Sequence, residues 1–277
     1  MGASLNKLDY DGKSQLYIAA ENGKQEVVVV LAKLGANLDT PSRYGTTPIW
    51  IAAAGGHLEV VRRLVELGAN IETPDDCGRT PVFAAALKGH VEVVRQLAEL
   101  GANLETPNNY GTTPVWVAAH EGHVEVVSLL AKLSADVETP NEDGETPVQI
   151  AAHEGQVEVV RRLCELGADV QTQDKDGTTP IEDAAAEGHV EVVTLLILFG
   201  GAVFCGEGSD EFRGRLKDAF EAIMLQEDVI CLVTSKSEVS TLSQITGIEG
   251  ILPKIMSYVT DLDREKMDWA RFHLQFM

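Results

Sequence analysis

Seven histidines are the residues of this 277-residue chain that first suggest chemistry, because a neutral imidazole can bind zinc. Four of them recur at steps of 33 residues or twice that number: His57, His90, His123 and His189. His120 and His153 form a second series with the same 33-residue step. Neither series has cysteine or carboxylate partners at zinc-ligand spacing. We therefore predict no metal site and expect His120 and His153 to contact a partner.

The cysteines likewise give no indication of a paired site. The four cysteines, Cys77, Cys164, Cys205 and Cys231, form no C-x-x-C pair. We expect free thiols, as in a reducing compartment. The chain also lacks a P-loop, a nucleophile elbow, an H-E-x-x-H helix and an EF-hand loop. These observations predict a protein that is not an enzyme and needs no cofactor.

The charge balance is strongly acidic. The chain has 22 basic and 43 acidic residues and a net charge of −21. Such a surface repels phosphate backbones and anionic lipids, so we expect no nucleic-acid partner. It favours a partner protein with a basic surface. No apolar run approaches the roughly 18 residues of a membrane span, and MGASLNKL has no signal-peptide character. We expect no membrane insertion and a cytoplasmic location, with the nucleus as an open alternative.

A period of 33 residues organises most of the chain. One glycine series is Gly12, Gly45, Gly78, Gly111, Gly144 and Gly177. A second is Gly23, Gly56, Gly89, Gly122, Gly155 and Gly188. A third is Gly35, Gly68, Gly101, Gly167 and Gly200, with Ser134 as its one exception. Three series in one phase predict a repeated structural unit.

Each period has the pattern of two helices. A Thr-Pro pair, such as Thr113-Pro114, supplies the N-cap and the first residue of a helix. An Ala-Ala pair follows, and its small side chains allow close approach of neighbouring helices. After the second glycine, segments such as HVEVVSLLAKL place valine and leucine at helical spacing. The periodicity by itself predicts a helix-turn-helix solenoid.

Segments such as GTTPVWVAAHEGHVEVVSLLAKLSADVE resemble ankyrin repeats, whose period is 33 residues. The resemblance covers about residues 9–204 in six copies: 9–41, 42–74, 75–107, 108–140, 141–173 and 174–204. It implies an all-α ankyrin-repeat solenoid of stacked helix-turn-helix units with protruding β-hairpin loops. It also implies a concave face that binds other proteins, and a structural role for His57 and its three counterparts.

The two ends depart from the repeat. Residues 1–8 are expected to be an N-terminal extension, and residues 205–277 a mainly helical C-terminal cap or small docking segment. A cap is expected because the last repeat ends in apolar residues such as Leu195 and Ile197. LPKIMSYV at 252–259 faintly resembles the box with which some ankyrin proteins recruit a ubiquitin ligase, although Thr246 stands where that family has cysteine. A ubiquitin-ligase substrate adaptor is thus an alternative.

Two further series have structural and functional interpretations. Glutamates recur in the first turn of each second helix, where the helix dipole favours an anion: Glu26, Glu59, Glu92, Glu125, Glu158 and Glu191. An aromatic series shares another register: Tyr17, Trp50, Phe83 and Trp116. The glutamates are expected to be mainly structural. The aromatic residues either pack between repeats or line a binding groove, and the sequence leaves both interpretations open.

Loop tips and the ends of the inner helices are where ankyrin repeats carry their variable contact residues. By register, the predicted partner-binding residues are Arg43, Tyr44, Trp50, Cys77, Arg79, Asn109, Tyr110, Trp116, His120, Glu121, Glu142, Asp143, His153 and Glu154. The sequence therefore predicts a non-catalytic protein–protein interaction module, either a scaffold, an adaptor or an inhibitor, with no evident small-molecule substrate. A structural or regulatory subunit of a larger complex is the alternative.

Overall fold

The computed structural model describes residues 7–200, apart from the side chains of 198–200. The predicted N-terminal extension lies mostly outside these residues. So do Cys205, Cys231, the predicted C-terminal cap or docking segment and the ligase box.

Residues 7–200 form twelve α-helices in six pairs. The first helices of the pairs are α1 Gln15–Glu21, α3 Pro48–Ala54, α5 Pro81–Leu87, α7 Pro114–His120, α9 Pro147–His153 and α11 Pro180–Ala186. The second helices are α2 Gln25–Lys33, α4 Leu58–Glu66, α6 Val91–Glu99, α8 Val124–Lys132, α10 Val157–Glu165 and α12 Val190–Gly200. Each 33-residue period contains one pair, so the predicted all-α helix-turn-helix repeat is confirmed.

The chain divides into two compact units at Ile150 and Ala151, inside α9. In the first unit, the first helices contact one another in chain order, α1 with α3, α3 with α5 and α5 with α7. The second helices do the same from α2 to α8. In the second unit, α10 and α11 both pack on α12. Within each unit, helix pairs that follow one another in sequence therefore pack together, as expected of a repeat array.

The first helices begin where the Thr-Pro pattern predicts. Thr113 Oγ1 accepts a hydrogen bond from Trp116 N at 3.2 Å, and Pro114 is the first helical residue. Ser14 replaces threonine in the first repeat, and its Oγ accepts from Tyr17 N at 3.1 Å. A hydroxyl at this position satisfies one of the amides that the helix leaves unpaired, which is worth about 1 kcal/mol per helix.

Small and branched apolar side chains form the core between the helices. The second helices bury a leucine series completely: Leu64, Leu97, Leu130, Leu163 and Leu196. The Ala-Ala pairs of the first helices are also buried, for example Ala52 and Ala53. Their small size permits the close contact of α3 with α1 and α5 that the sequence predicts.

The four-histidine series is structural. In each case, Nε2 of the ring lies within hydrogen-bonding distance of a carbonyl oxygen 36 residues earlier. A carbonyl only accepts, so Nε2 donates. In the first unit the pairs are His57 with Glu21 at 2.9 Å, His90 with Ala54 at 3.0 Å and His123 with Leu87 at 3.1 Å. In the second unit the pair is His189 with His153 at 2.9 Å. These bonds tie the end of one first helix to the next repeat.

The loops between the repeats differ from the expected β-hairpins, because no strand occurs within residues 7–200. Each loop tip is a tight turn. Asn108 N donates to Thr112 O at 2.9 Å, and Gly111 N donates to Asn108 O at 3.1 Å. The turn ends at Thr112, and Pro114 already begins the next helix. Too few residues therefore follow the turn to pair in a ladder, which is what a strand requires.

One residue breaks the glycine pattern at the C-terminal end of a helix. Ser134 has a φ of 68°, and it is the single non-glycine residue with positive φ among the residues that the structure describes. The glycine at the same register in the preceding repeat, Gly101, has a φ of 90°. The left-handed conformation costs a residue with a Cβ roughly 1–2 kcal/mol. The fourth repeat therefore keeps the backbone of its neighbours at a local cost in stability.

We predict that Ser134→Gly raises the free energy of unfolding by about 1 kcal/mol. Removing the left-handed cost is partly offset by the larger conformational freedom of glycine in the unfolded chain. Urea unfolding of the full chain, followed by circular dichroism, measures the change.

Gly101→Ser is the matched control, because a Cβ at Gly101 meets no atom within 4 Å and adds only the backbone cost. It should lower the free energy of unfolding by a similar amount. A Ser134→Gly variant that is less stable than the native chain would contradict the explanation.

Candidate protein-binding surface

The loop tips of the first unit are joined into a row by backbone hydrogen bonds. In each bond an amide of one tip donates to a carbonyl of the preceding tip. The pairs are Arg43 N to Asp11 O at 2.9 Å, Asp76 N to Tyr44 O at 3.1 Å, Asn109 N to Cys77 O at 2.9 Å and Glu142 N to Tyr110 O at 3.0 Å. These four bonds use backbone atoms alone, so they can form whatever side chains the tips carry.

Glycine is required where one tip approaches the next. Gly111 has a φ of 74°, and a Cβ built on it would lie 2.8 Å from Glu142 N. Real Cβ atoms essentially never come so close. The same close approach occurs at Gly12, Gly45 and Gly78, so the contact between consecutive tips explains these four glycines of the first series, whereas a Cβ on Gly177 would meet no atom within 4 Å.

A polar side chain at the start of each tip holds the turn from within. Asn108 Oδ1 accepts from the amides of Tyr110 at 2.9 Å and Thr112 at 3.0 Å. Asp75 Oδ1 accepts in the same way from the amides of Cys77 at 3.0 Å and Arg79 at 2.9 Å. This position was not among the residues predicted above, although asparagine and aspartate at the start of a turn are a recognised signal. These bonds fix the backbone that presents the contact residues.

Tyr10 on the first tip is fully exposed, and two of the predicted residues, Tyr44 and Tyr110, are also large exposed side chains of the row. Their exposed fractions are 61% and 64%. The guanidinium of Arg43 lies 5.4 Å from the centre of the Tyr44 ring and forms an ion pair with Asp11 at 2.9 Å. The hydrogen bond with Asp11 raises the pKa of Arg43. The two predicted residues Arg43 and Tyr44 thus lie together and form an amphipathic contact area on the second tip.

Arg79 is held more tightly than Arg43. Its Nη2 and Nε lie 2.6 Å and 2.8 Å from Oδ2 of the buried Asp75, and its guanidinium lies 5.4 Å from the Trp50 ring. An arginine fixed on both sides loses little entropy when it meets a partner. Arg79 is therefore a preorganised cation on the third tip.

The aromatic series is buried, which supports the packing interpretation. Trp50 and Trp116 are at most 9% exposed, and Tyr17 and Phe83 are buried as well. Each indole N–H donates to a backbone carbonyl of the next tip: Trp50 to Arg79 O at 2.8 Å and Trp116 to Glu145 O at 3.0 Å. Trp50 and Trp116 therefore support the tips from beneath, and little of either ring is available to a partner.

The other predicted tip residues are less prominent. Cys77 is half-buried, and its thiol is free. Asn109 is exposed, and its Nδ2 donates to Asp76 O at 3.0 Å. Both residues belong to the third and fourth tips, between Tyr44 and Tyr110. The structure brings them together with the tyrosines in a single row.

His120 and Glu121 lie at the end of α7, beside the tips. The imidazole of His120 stacks on Trp116, with ring centres 5.6 Å apart and planes inclined by 12°. Its Nδ1 lies 3.0 Å from Glu121 Oε1. Stacking and the hydrogen bond fix the ring in a half-exposed position. The imidazole can therefore serve as a rigid hydrogen-bonding group.

Two acidic residues complete the predicted set in the first unit. Glu142 and Asp143 occupy the fifth tip, where Asp143 is exposed and its amide donates to Asn141 Oδ1 at 2.9 Å. His153 and Glu154 belong to the second unit, and the nearest atoms of that pair are 4.0 Å apart. This pair has the same registers as His120 and Glu121. The histidine–glutamate arrangement therefore occurs once in each unit.

Three of the six glutamates of the series pair with arginine along their own helices. Glu59 lies 3.6 Å from Arg62, Glu92 lies 3.4 Å from Arg95, and Glu158 lies 3.5 Å from Arg161, in each case three residues apart. Arg63 and Arg162 pair instead with Glu66 and Glu165. The structural interpretation of the series agrees with these contacts.

Within residues 7–200, no group of three or more histidine, cysteine, aspartate or glutamate side chains could hold a metal ion. No helix in that part of the chain is long and apolar enough to cross a membrane. The exposed groups of the tip row are aromatic, cationic, amide and carboxylate side chains. Such groups can form hydrogen bonds, ion pairs and aromatic contacts with another protein.

The repeated helix pairs and the row of joined loop tips together define a repeat protein. The chain matches the family Ankyrin repeats (3 copies) over residues 1–75, 67–141 and 133–204. The matches span most of the chain, and the protein belongs to the ankyrin-repeat family. Ankyrin repeats are generally protein–protein interaction modules. A comparison with curated proteins finds no match to the chain.

We predict that Trp116→Phe lowers the free energy of unfolding by roughly 1–3 kcal/mol. The change removes the hydrogen bond to Glu145 O and leaves unfilled volume beneath the fifth tip. Tyr110→Phe, an exposed aromatic substitution, should stay within about 0.5 kcal/mol of the native chain. Thermal and urea unfolding of both variants measure the difference. Equal stability of the two variants would count against a supporting role for Trp116.

The thiol of Cys164 provides a test of packing in the second unit. Burial raises the pKa of Cys164 to about 11. Because only the thiolate reacts, alkylation of Cys164 at pH 8 should be about a hundredfold slower in the folded chain than in the urea-unfolded chain. The rate should rise about tenfold per pH unit below pH 11. Iodoacetamide labelling with peptide mapping measures this, and equal rates in both states would show that the site is open.

Proposed function

We propose that the chain is a non-catalytic interaction module whose binding site is the tip row of the first unit. The site comprises Arg43 and Tyr44 on the second tip, Arg79 on the third, Tyr110 on the fourth and His120 beside it. A scaffold, an adaptor and an inhibitor all use such a surface. The side chains that would recognise the partner are exposed or half-exposed, and the fold holds them in position before the partner binds.

The observation that carries the proposal is the combination of exposed tyrosines with a fixed backbone. Asn108 caps the turn that presents Tyr110, and the tip-to-tip hydrogen bonds hold Tyr44 and Tyr110 in one row. Tyrosine offers a large contact area with little conformational entropy to lose. A surface that is ordered beforehand avoids much of the usual cost of association. Binding energy is therefore concentrated in a few rigid groups.

Charge suggests the kind of partner. Glu121 lies at the end of α7, Glu142 and Asp143 lie on the fifth tip, and the whole chain carries a net charge of −21. A partner surface with lysine or arginine beside an apolar or aromatic patch would match both the acidic edge and the tyrosines. Charge complementarity of this type mainly accelerates encounter and selects partners.

The proposal is tested by capturing the partner with the full chain and with a triple variant. The variant is Tyr44→Ala/Tyr110→Ala/His120→Ala, and the bound proteins are identified by mass spectrometry. We expect that a partner retained by the native chain is lost from the variant. Circular dichroism and thermal unfolding establish that the variant remains folded.

A matched control removes exposed apolar side chains elsewhere in the same unit. Leu67 and Leu133, at the ends of α4 and α8, are 37% and 40% exposed, and Leu67→Ala/Leu133→Ala should retain the partner. Loss of the partner from both variants would indicate a general surface effect. Retention by the triple variant would place the binding site outside the tip row.

A further inference from the structure

A stripe of apolar side chains lies exposed on the second helix of the first repeat. Val27, Val30 and Leu34 have exposed fractions of 47%, 54% and 62%, and Leu31 is half-buried. Their spacing of i, i+3, i+4 and i+7 places them on one side of α2. We call these four residues the α2 stripe. Contiguous exposed apolar surface of this kind marks an interaction site.

Two of the four registers of the α2 stripe are buried in the next repeat. Val60, at the register of Val27, is 1% exposed, and Leu64, at the register of Leu31, is fully buried. The other two registers carry Arg63 and Leu67 in α4, and both residues are exposed there. Val27 and Leu31 are therefore more exposed than the residues at their registers in α4, and together with Val30 and Leu34 they form an apolar surface that no further repeat covers within residues 7–200. Terminal repeats usually have a polar outer face.

The charged residues beside the stripe have an arrangement that favours self-association. Glu26 and Lys33 are seven residues apart, which places them on the same flank of the helix, two turns from each other. In an antiparallel pair of α2 helices, Glu26 of each copy would approach Lys33 of the other. The opposed helix dipoles also attract. The α2 surface of one copy is thus complementary to the same surface of a second copy.

α2 lacks the arginines that form ion pairs within α4, a feature that it shares with α8, where Glu125 and Lys132 have the registers of Glu26 and Lys33. Val29 and Val30 stand where α4 has Arg62 and Arg63, which pair with Glu59 and Glu66 within their own helix. In α2 the same registers carry Glu26 and Lys33 without those arginines. Glu26 and Lys33 therefore have no arginine of their own helix to pair with, and α2 differs from α8 in its exposed apolar side, since Val27 is 47% exposed and Val126 is fully buried.

We propose that the protein forms a homodimer in which the α2 stripes of two copies pack antiparallel. This interface lies apart from the tip row and goes beyond the proposed partner binding. A single helix of nine residues per copy covers less than the roughly 1,200–2,000 Å² of a stable complex, so the dimer is reversible and depends on concentration.

The first test measures the mass of the full chain by sedimentation velocity over a range of concentrations. The native chain should move from its monomer mass of 29.9 kDa towards twice that mass as concentration rises. Val27→Glu/Leu34→Glu should remain monomeric at every concentration. The matched control is Leu67→Glu, which changes the leucine at the register of Leu34 in the next repeat and should still dimerise. A native chain that stays monomeric overturns the proposal, and so does a dimer that Val27→Glu/Leu34→Glu leaves intact.

A charge exchange tests the antiparallel pairing. Glu26→Lys and Lys33→Glu, each alone, replace two attractive contacts by two repulsive ones and should weaken the dimer about tenfold. An equal mixture of the two variants should form a heterodimer with near-native affinity, because each substituted residue then meets an opposite charge. Recovery in the mixture also shows that both variants are folded. If the mixture is as weak as its components, the antiparallel arrangement is wrong.

Discussion

The hydrogen bonds between consecutive repeats are the constraint on which the rest of the structure depends. Each repeat of the first unit reaches its neighbour through a bond between tip backbones and, for most repeats, through a histidine or tryptophan ring that donates to a neighbouring carbonyl. These bonds require the same spacing in every repeat. The 33-residue period, the glycine at each tip and the N-cap that aligns each first helix all follow from that requirement.

Much of this architecture could be predicted from the sequence, because the period repeats the same physical signals. Thr113-Pro114 predicts where α7 begins, and the glycine series predicts the left-handed residue at which Ser134 is found. The β-hairpin expectation came from the family resemblance, and the short closed turns such as Asn108–Thr112 leave no residues for a ladder within the described part of the chain.

The candidate site was less accessible to sequence reasoning. The positions of Trp50 and Trp116 in the repeat fit both packing and binding. The two interpretations are distinguished by the hydrogen bonds of the indoles to the carbonyl groups of Arg79 and Glu145, each 29 residues further along the chain. The exposure of Val27 could not be predicted either, because the valines at the same register of later repeats are buried. Tyr44 and Tyr110 were identified correctly as exposed tip residues because turn positions are rarely covered.

The tip-to-tip bonds also allow residues of the binding surface to be substituted. They use backbone atoms, so the residue type at Tyr44 can change without removing them, whereas Arg43 and Asn109 add a side-chain contact to the preceding tip. Recognition and folding are then encoded at different positions of the same short loop. A lineage of such proteins can acquire new targets by substitution at these positions, and an engineer can transplant a set of tips from one array to another.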